Sequence, residues 1–464
     1  MGNQKKYNTF RQTFPEFVYD SYQYDVRPDG LHIVFRFQAL GVNGSATVAY
    51  EPSAFIPKRP FLHLEQPREN MDRLVFNIGM IELISYWKAF CSPSVVVRCG
   101  SLDDNQVAFW KKLYFNGLGE FFYTNGIQAG IDDFLDLKST AVSSSSPFSI
   151  PNSQLSFSNY LVPVGGGKDS VVTLESLKQS GRVVPLVMNP RGATRQCCEV
   201  AGFGMDDVLV IERRLDPKLL EMNSKGALNG HTPFSAMLAF YTLLASQLAA
   251  IANVALSNES SANESTVVGT YVNHQYSKSV EFEDDFREYV RQSMGVATRY
   301  FSFLRPLSEL QIAMLFARHS DYFGVFKSCN VGSKEDKWCG HCAKCLFAFI
   351  ILSPFVHPAQ LQLAFGKNML DDMSMKQEFD ELVGVAATKP FECVGTISEV
   401  NQALAMCHRR WYAENAPALL RYWLYDLAPK VTAPPIRLED FYTEHHNLTS
   451  TESQLLRRAL SVLS

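Results

Sequence analysis

The run Leu161-Val162-Pro163-Val164-Gly165-Gly166-Gly167-Lys168-Asp169-Ser170 carries three signals in ten residues. Its apolar start predicts a buried strand. Three glycines then let the backbone turn sharply and approach a ligand with no Cβ in the way. Val171-Val172-Thr173-Leu174-Glu175-Ser176-Leu177 follows, with apolar residues at helical spacing. A strand, a glycine turn and a helix together aim backbone N–H groups and a helix N-terminus at phosphate. The run lacks the G-x-x-x-x-G-K-[ST] spacing of a Walker A loop. No glycine sits three residues after Gly167, as a dinucleotide fingerprint requires. A glycine turn in an ordinary α/β sheet is the plain alternative.

Outward from this run, strands and helices alternate. Val183–Met188 reads as a second strand ending at Asn189-Pro190-Arg191-Gly192, and Val208–Arg213 as a third. Ala236–Leu256 is long and apolar enough to suggest a membrane span. It also carries Thr242, Ser246, Gln247 and Asn253, and it follows Thr232-Pro233, an N-cap with proline at the first helical position. It is therefore read as a buried core helix leading into Val254-Ala255-Leu256, with polar Ser257–Glu264 beyond. This order predicts an α/β domain with a parallel sheet and helices on both faces. Ligands in such sheets sit outside the carboxyl ends of the strands. The glycine loop, Asn189 and Asn258-Glu259 should then converge on one crevice. The polar segment Val272-Asn273-His274-Gln275-Tyr276-Ser277-Lys278-Ser279 follows; it is a solvated loop or part of that crevice.

Residues 1–140 read as a separate α+β unit. Leu31–Phe37 alternates as a strand does, and Ala46–Tyr50 can pair with it across Gly41–Gly44. A helix is expected at Ile81–Lys88. The aromatic, glycine-rich Tyr114–Tyr123 is read as core packing around a turn, or as a pocket wall. Residues 141–155 are serine-rich and read as a linker. The nucleotide-type domain then spans 156–350, and a mainly helical region 351–464. Within the latter, Lys389–Thr396 is an isolated turn-like stretch that could return to the crevice. Cys329, Cys339, Cys342 and Cys345 can close a tetrahedral thiolate site. Zinc is the first expectation there, an iron–sulfur cluster the second, and free thiols the plain alternative.

Composition sets wide bounds. The 464 residues are 46% hydrophobic and 19% charged, as in ordinary globular proteins, and are long enough for two or three domains. A net charge of −4 argues against a dedicated nucleic-acid binder. The first residues lack an apolar leader core, and ten cysteines fit a reducing compartment, so a cytoplasmic protein acting on a small molecule is expected.

The glycine run resembles the S-G-G-x-D-S loop of the ATP pyrophosphatases, which cleave ATP between its α- and β-phosphates and adenylate a carboxylate or carbonyl oxygen. Gly166, Gly167, Asp169 and Ser170 match, while Gly165 stands where that loop has its first serine. Several stretches together are similar to the muramoyl-alanyl-glutamate epimerases of the same superfamily: Gly79–Pro93, Val164–Ser170, Ser257–Glu264, Asn273–Ser279, Trp338–Cys345 and Lys389–Thr396. The resemblance implies epimerisation of the terminal L-glutamate of UDP-N-acetylmuramoyl-L-alanyl-L-glutamate for peptidoglycan. ATP and Mg²⁺ are used, and AMP and diphosphate are released. It implies that Gly165, Gly166 and Gly167 cradle the departing phosphates, Lys168 and Ser170 contact phosphate, and Asp169 holds Mg²⁺. Asn189, Asn258 and Glu259 fall on the nucleotide side. His274, Lys278, His231, Tyr276 and Cys393 are the proton-transfer candidates, in that order. The first 140 residues are expected to hold the UDP-muramoyl part.

The coupling has a physical reason. A carboxylate cannot spread a second negative charge, so its α-proton is hard to remove. Adenylation makes the carbanion enolate-like, and each unit of acidity gained saves about 1.4 kcal/mol. Two rival readings stand beside this one. One is another adenylating synthase, acting on a nucleobase or on tRNA, of which the tRNA type should show a basic groove. A non-catalytic nucleotide sensor would bind ATP without cleaving it.

Overall fold

A computed structural model describes residues 2–44, 47–140, 155–267, 269–430, 438 and 440–461. Eleven strands among them share one sheet. They are β1 (Glu16–Arg27), β2 (Gly30–Leu40), β3 (Thr47–Tyr50), β4 (Ser53–Pro57), β5 (Ser94–Val97) and β6 (Asp136–Ser139), followed by β7 (Ser156–Pro163), β8 (Val183–Met188), β9 (Leu209–Arg214), β10 (Ile251–Leu256) and β11 (Arg299–Ser302). Their order is β11-β10-β7-β8-β9-β4-β2-β1-β5-β6, with β3 beside β2.

Strands β11, β10, β7, β8 and β9 run parallel, as the alternating pattern predicts. Every residue of β10 is buried, and so are the first five of β8. Parallel strands covered on both faces require such continuous apolar runs. By contrast, β2 alternates buried and half-buried residues within its antiparallel pairings to β1, β3 and β4. The two halves meet where β4 pairs antiparallel with β9, Ser53 opposite Arg214 and Phe55 opposite Glu212.

Neighbouring residues of one strand feed opposite cores, because side chains alternate across a sheet. Leu161, Leu186, Leu209 and Val254 join one cluster with Phe35, Trp87, Trp110 and Tyr241. Val162, Val187, Val210 and Ala255 join a second with Phe301, Leu346, Ile350 and Leu404. The C-terminal region covers this second face with the helices Ala343–Leu352, Pro358–Phe365, Lys376–Val383 and Ile397–Trp411.

Three local expectations are corrected. The helix read across Ala236–Leu256 spans Phe234–Ala249 and stops at Ala250, which is left-handed with φ 52°. Ile251–Leu256 pairs instead between β7 and β11, so tertiary pairing overrides the alanine-rich helical run. Among the described residues no helix is long and apolar enough to cross a membrane. Thr232 does not cap this helix; its hydroxyl meets the Lys88 ammonium at 2.5 Å. The helix expected at Ile81–Lys88 spans Arg68–Trp87 and takes in Asn77 and Gly79. Asn77 donates to the Arg73 carbonyl and accepts from the Tyr289 hydroxyl. A Cβ on Gly79 would lie 1.8 Å from the Tyr19 hydroxyl oxygen, so only glycine lets this helix sit on β1. The serine-rich linker lies outside the described residues except Leu155.

Candidate active site at the strand ends

The glycine loop leaves the end of β7 and enters the helix Lys168–Leu177 with Gly167 as its N-cap. Gly166 has φ 83°, and a Cβ there would press 3.2 Å from Ala193 and Thr194. Lys168 is buried. Its ammonium meets the Asp169 carboxylate at 2.5 Å and pairs with Glu309. Burial opposes that charge, but the two carboxylates outweigh it and hold the ammonium well above its ordinary pKa. Glu309 itself is pushed up, first by burial; Lys168 opposes the shift, and Asp169, Glu259 and Glu399 add to it. The Ser170 hydroxyl donates to the Gly167 carbonyl at 2.9 Å.

Two further loops close on this one. Asn258 donates to Ser302 Oγ at 3.0 Å, and buried Glu259 accepts from Ser261. Arg305, fully buried beyond β11, donates to the carbonyls of Glu259 at 2.6 Å and Lys278 at 2.5 Å. It also reaches Glu283 and Ser302, each at 3.2 Å. One guanidinium fork therefore fixes both the Asn258-Glu259 loop and the loop carrying Lys278.

The stretch Lys389–Thr396 does return to the strand ends. The Lys389 amide donates to the Thr266 carbonyl, its ammonium pairs with Glu264, and Gln275 donates to the Val394 carbonyl. This places Cys393 close enough to His274 and Lys278 to shift the pKa of both. Burial alone would raise the Cys393 thiol, but Lys278, Lys344 and His274 hold it well below its ordinary value. His274 Nδ1 meets Glu120 Oε2 at 2.5 Å. Burial lowers its pKa, yet Cys393 and Glu120 carry it to about 9. His231 Nδ1 lies 3.2 Å from the same carboxylate oxygen. Burial and the neighbouring His274 charge push its pKa down to about 4. The cluster therefore sets a thiol shifted toward its ionised form beside one imidazole shifted toward its charged form and another shifted toward its neutral form.

The structure thus brings together His274, Lys278, His231 and Cys393, and separately the glycine loop with Glu259. Lys278 spans the two groups: burial opposes its charge, while Cys393, Glu259 and Asp169 raise its pKa. Tyr276 turns away. It packs against Phe282 and faces Asn116. Asn189, at the end of β8, pairs both side-chain atoms with the Arg213 backbone and lines a neighbouring cleft.

Sequence reading missed Glu120, Lys88, Arg305, Glu309 and Glu399. Glu120 was hidden in the aromatic run Tyr114–Tyr123, where buried Phe121 and Phe122 aim it outward from the core. Burial, then Arg213, lowers Lys88 to about 8. Glu399 accepts from the Glu309 amide at 2.6 Å while completing its own capping box with Thr396.

The four predicted cysteines also converge. Sγ–Sγ distances are 3.9 Å for Cys329–Cys342, 3.6 Å for Cys339–Cys345 and 3.4 Å for Cys342–Cys345. A tetrahedral zinc with bonds near 2.3 Å sets thiolates roughly 3.8 Å apart, so this donor set fits. The Gly332 amide donates to Cys329 Sγ at 3.1 Å.

A large mixed sheet with titratable side chains gathered at its strand ends defines an α/β protein of enzyme type. The MurL N-terminal domain model matches residues 8–303 and the MurL C-terminal domain model residues 325–431. The chain belongs to the MurL family. Three similar proteins carry the name UDP-N-acetyl-alpha-D-muramoyl-L-alanyl-L-glutamate epimerase. That of Xanthomonas oryzae pv. oryzae is 35% identical, covering 78% of this chain and 80% of the relative. That of Salinispora tropica is 32% identical over 87% of each. That of a Micromonospora species is 31% identical over 93% of this chain and 95% of the relative.

Proposed function

We propose that this chain is a muramoyl-dipeptide epimerase that inverts the terminal glutamate of UDP-N-acetylmuramoyl-L-alanyl-L-glutamate after adenylating its carboxylate, on a fold of the ATP pyrophosphatase kind. The names of the three relatives support the substrate and the outcome. The observation that carries the chemistry is buried Lys278, whose charge is supported by Cys393 on one side and by the Glu259 and Asp169 carboxylates of the glycine-loop side on the other. A carboxylate activated at the loop would thus lie next to a base.

The glycine-loop amides receive the departing diphosphate at the N-terminus of Lys168–Leu177. Asp169 and Glu309 offer only oxygen donors, which suit Mg²⁺, and they would hold it. Bound there, it would neutralise phosphate charge as the α–β bond of ATP breaks. The substrate carboxylate oxygen takes the adenylyl group and diphosphate leaves. The Cys393 thiolate then removes the α-proton. The enolate is reprotonated on its other face by a second group, for which the Lys278 ammonium is the candidate. Water finally cleaves the mixed anhydride, releasing AMP and the D-glutamate product. The four-cysteine site would hold zinc as a structural tie.

Incubation in D₂O with ATP, Mg²⁺ and the UDP-muramoyl dipeptide tests this reading. The expected result is diphosphate release together with deuterium at the glutamate Cα of a D-configured product. Diphosphate release with the α-proton retained would overturn the epimerase chemistry.

A further inference from the structure

A cleft of about 580 Å³ opens beside the glycine loop, over the ends of β8 and β9. Arg59, Arg191, Arg195, Arg213 and Arg214 line it, against one carboxylate, Glu212. Two of these guanidiniums are already matched. Arg213 is gripped by buried Glu82 through two contacts of 2.6 Å, and Arg214 meets Glu212 at 2.9 Å. Of the other three, two have no carboxylate partner among the described residues and Arg59 has only a loose one. Arg191, the extended residue that precedes the helix Gly192–Val200, and Arg195 in its first turn both line the cleft, and two like charges so placed favour a bound anion. Arg59 Nε is buried without a hydrogen-bond partner, and its nearest carboxylate, exposed Asp206, is 3.9 Å away.

The neighbouring helix N-terminus is not the anion receptor. The Ala193 amide there is taken by the Asp336 carboxylate at 3.1 Å. The binding capacity therefore resides in the arginine forks, which suit doubly anionic, multi-oxygen groups. Gly166 packs against Ala193 and Thr194, so the cleft and the glycine loop flank the same helix start.

We infer that this cleft seats a nucleotide diphosphate. Where the proposed function holds, and the glycine loop takes the phosphates of ATP, the diphosphate here is the one joining uridine to the muramoyl sugar. ATP itself is the other source of the same chemistry.

The test measures binding of UDP and of ATP, each alone, to the full-length wild type and to the variants Arg191→Ala/Arg195→Ala and Arg195→Glu. Both side chains are exposed, and circular dichroism checks that the fold is kept. The expected result is UDP binding weakened at least tenfold in both variants, restored in part by Arg195→Lys, with ATP affinity unchanged. A loss of ATP affinity without any UDP binding by the wild type supports the diphosphate seat and assigns it to ATP. UDP and ATP affinities unchanged in both variants overturn the inference. Arginine-dependent UDP binding in a wild type that does not epimerise would leave this site standing and remove the proposed reaction alone.

Discussion

The Glu120 carboxylate holds the His274 ring from its Nδ1 side at 2.5 Å, and the Cys393 thiol raises the pKa of that same ring. These three residues come from the C-terminal region, the strand-end loops and the N-terminal unit. The charge state of the thiol is therefore set by the assembled fold, not by its local sequence.

Cys393→Ser keeps the size of the side chain but loses the low-pKa base. Proton exchange at the glutamate Cα should fall by about 10²–10⁴-fold. ATP–diphosphate exchange should continue, because the glycine loop is untouched. Comparing the two rates in one preparation checks this; equal losses in both would count against a proton-transfer role for Cys393.

Stability should depend on pH through the same cluster. His274, raised to about 9, contributes stability that is lost as pH climbs from 6.5 to about 9. Cys393, lowered by its cationic neighbours, works in the opposite direction, its contribution gained as pH rises toward 9.0. Below 6.5 the unfolded chain protonates His231, while the folded chain resists down to about pH 4. Stability should then fall with acidification by up to roughly 1.4 kcal/mol per pH unit, one proton's worth. Urea unfolding between pH 5 and 8 measures the slope, and His231→Gln should remove most of it.

Arg305→Leu removes the fork that ties the Glu259 and Lys278 carbonyls together and leaves buried Glu283 with one partner fewer. The expected cost is about 3–5 kcal/mol. A lowered Tm and faster proteolysis within 257–279 would report it. Arg305→Lys should recover part of the loss, since a single ammonium cannot reach both carbonyls with fork geometry.

Purified protein should carry one zinc ion per chain by elemental analysis, and Cys342→Ala should lose it. Removal of the metal should lower Tm before it affects nucleotide binding, because the cysteines close the start of Ala343–Leu352 and not the glycine loop. Iron in place of zinc would redirect the assignment to a cluster.

Much of the parallel half was legible, because buried parallel strands need unbroken apolar runs, and Val183–Met188 is such a run. The glycine loop was legible for a related reason: only glycine tolerates φ 83° at Gly166 against Ala193. Ala250 was not, since nothing in an alanine-rich run marks the residue at which strand pairing becomes worth more than another helical turn. Glu120 was illegible as well. Its neighbours Phe121 and Phe122 read as core, and its meaning depends on His231 and His274 arriving from far along the chain. Cys393 could be picked out from its turn-like setting, but its lowered pKa comes from Lys278, Lys344 and His274, which no local pattern joins.

The pairing of β4 with β9 bears on how the chain is made. Ser53 finds its partner, Arg214, roughly 160 residues later, and contacts so distant in sequence form slowly. As the chain leaves the ribosome, β1 to β4 can zip into a meander, but the outer rim of β4 stays bare until Leu209–Arg214 has emerged. A bare strand rim is a template for pairing with another nascent chain. Ala54 and Ile56 are buried along that strand, with no lysine among Ser53–Pro57 to discourage a neighbour. Truncation anywhere before β9 would leave this rim permanently open, and such fragments should collect in inclusion bodies while the full chain does not.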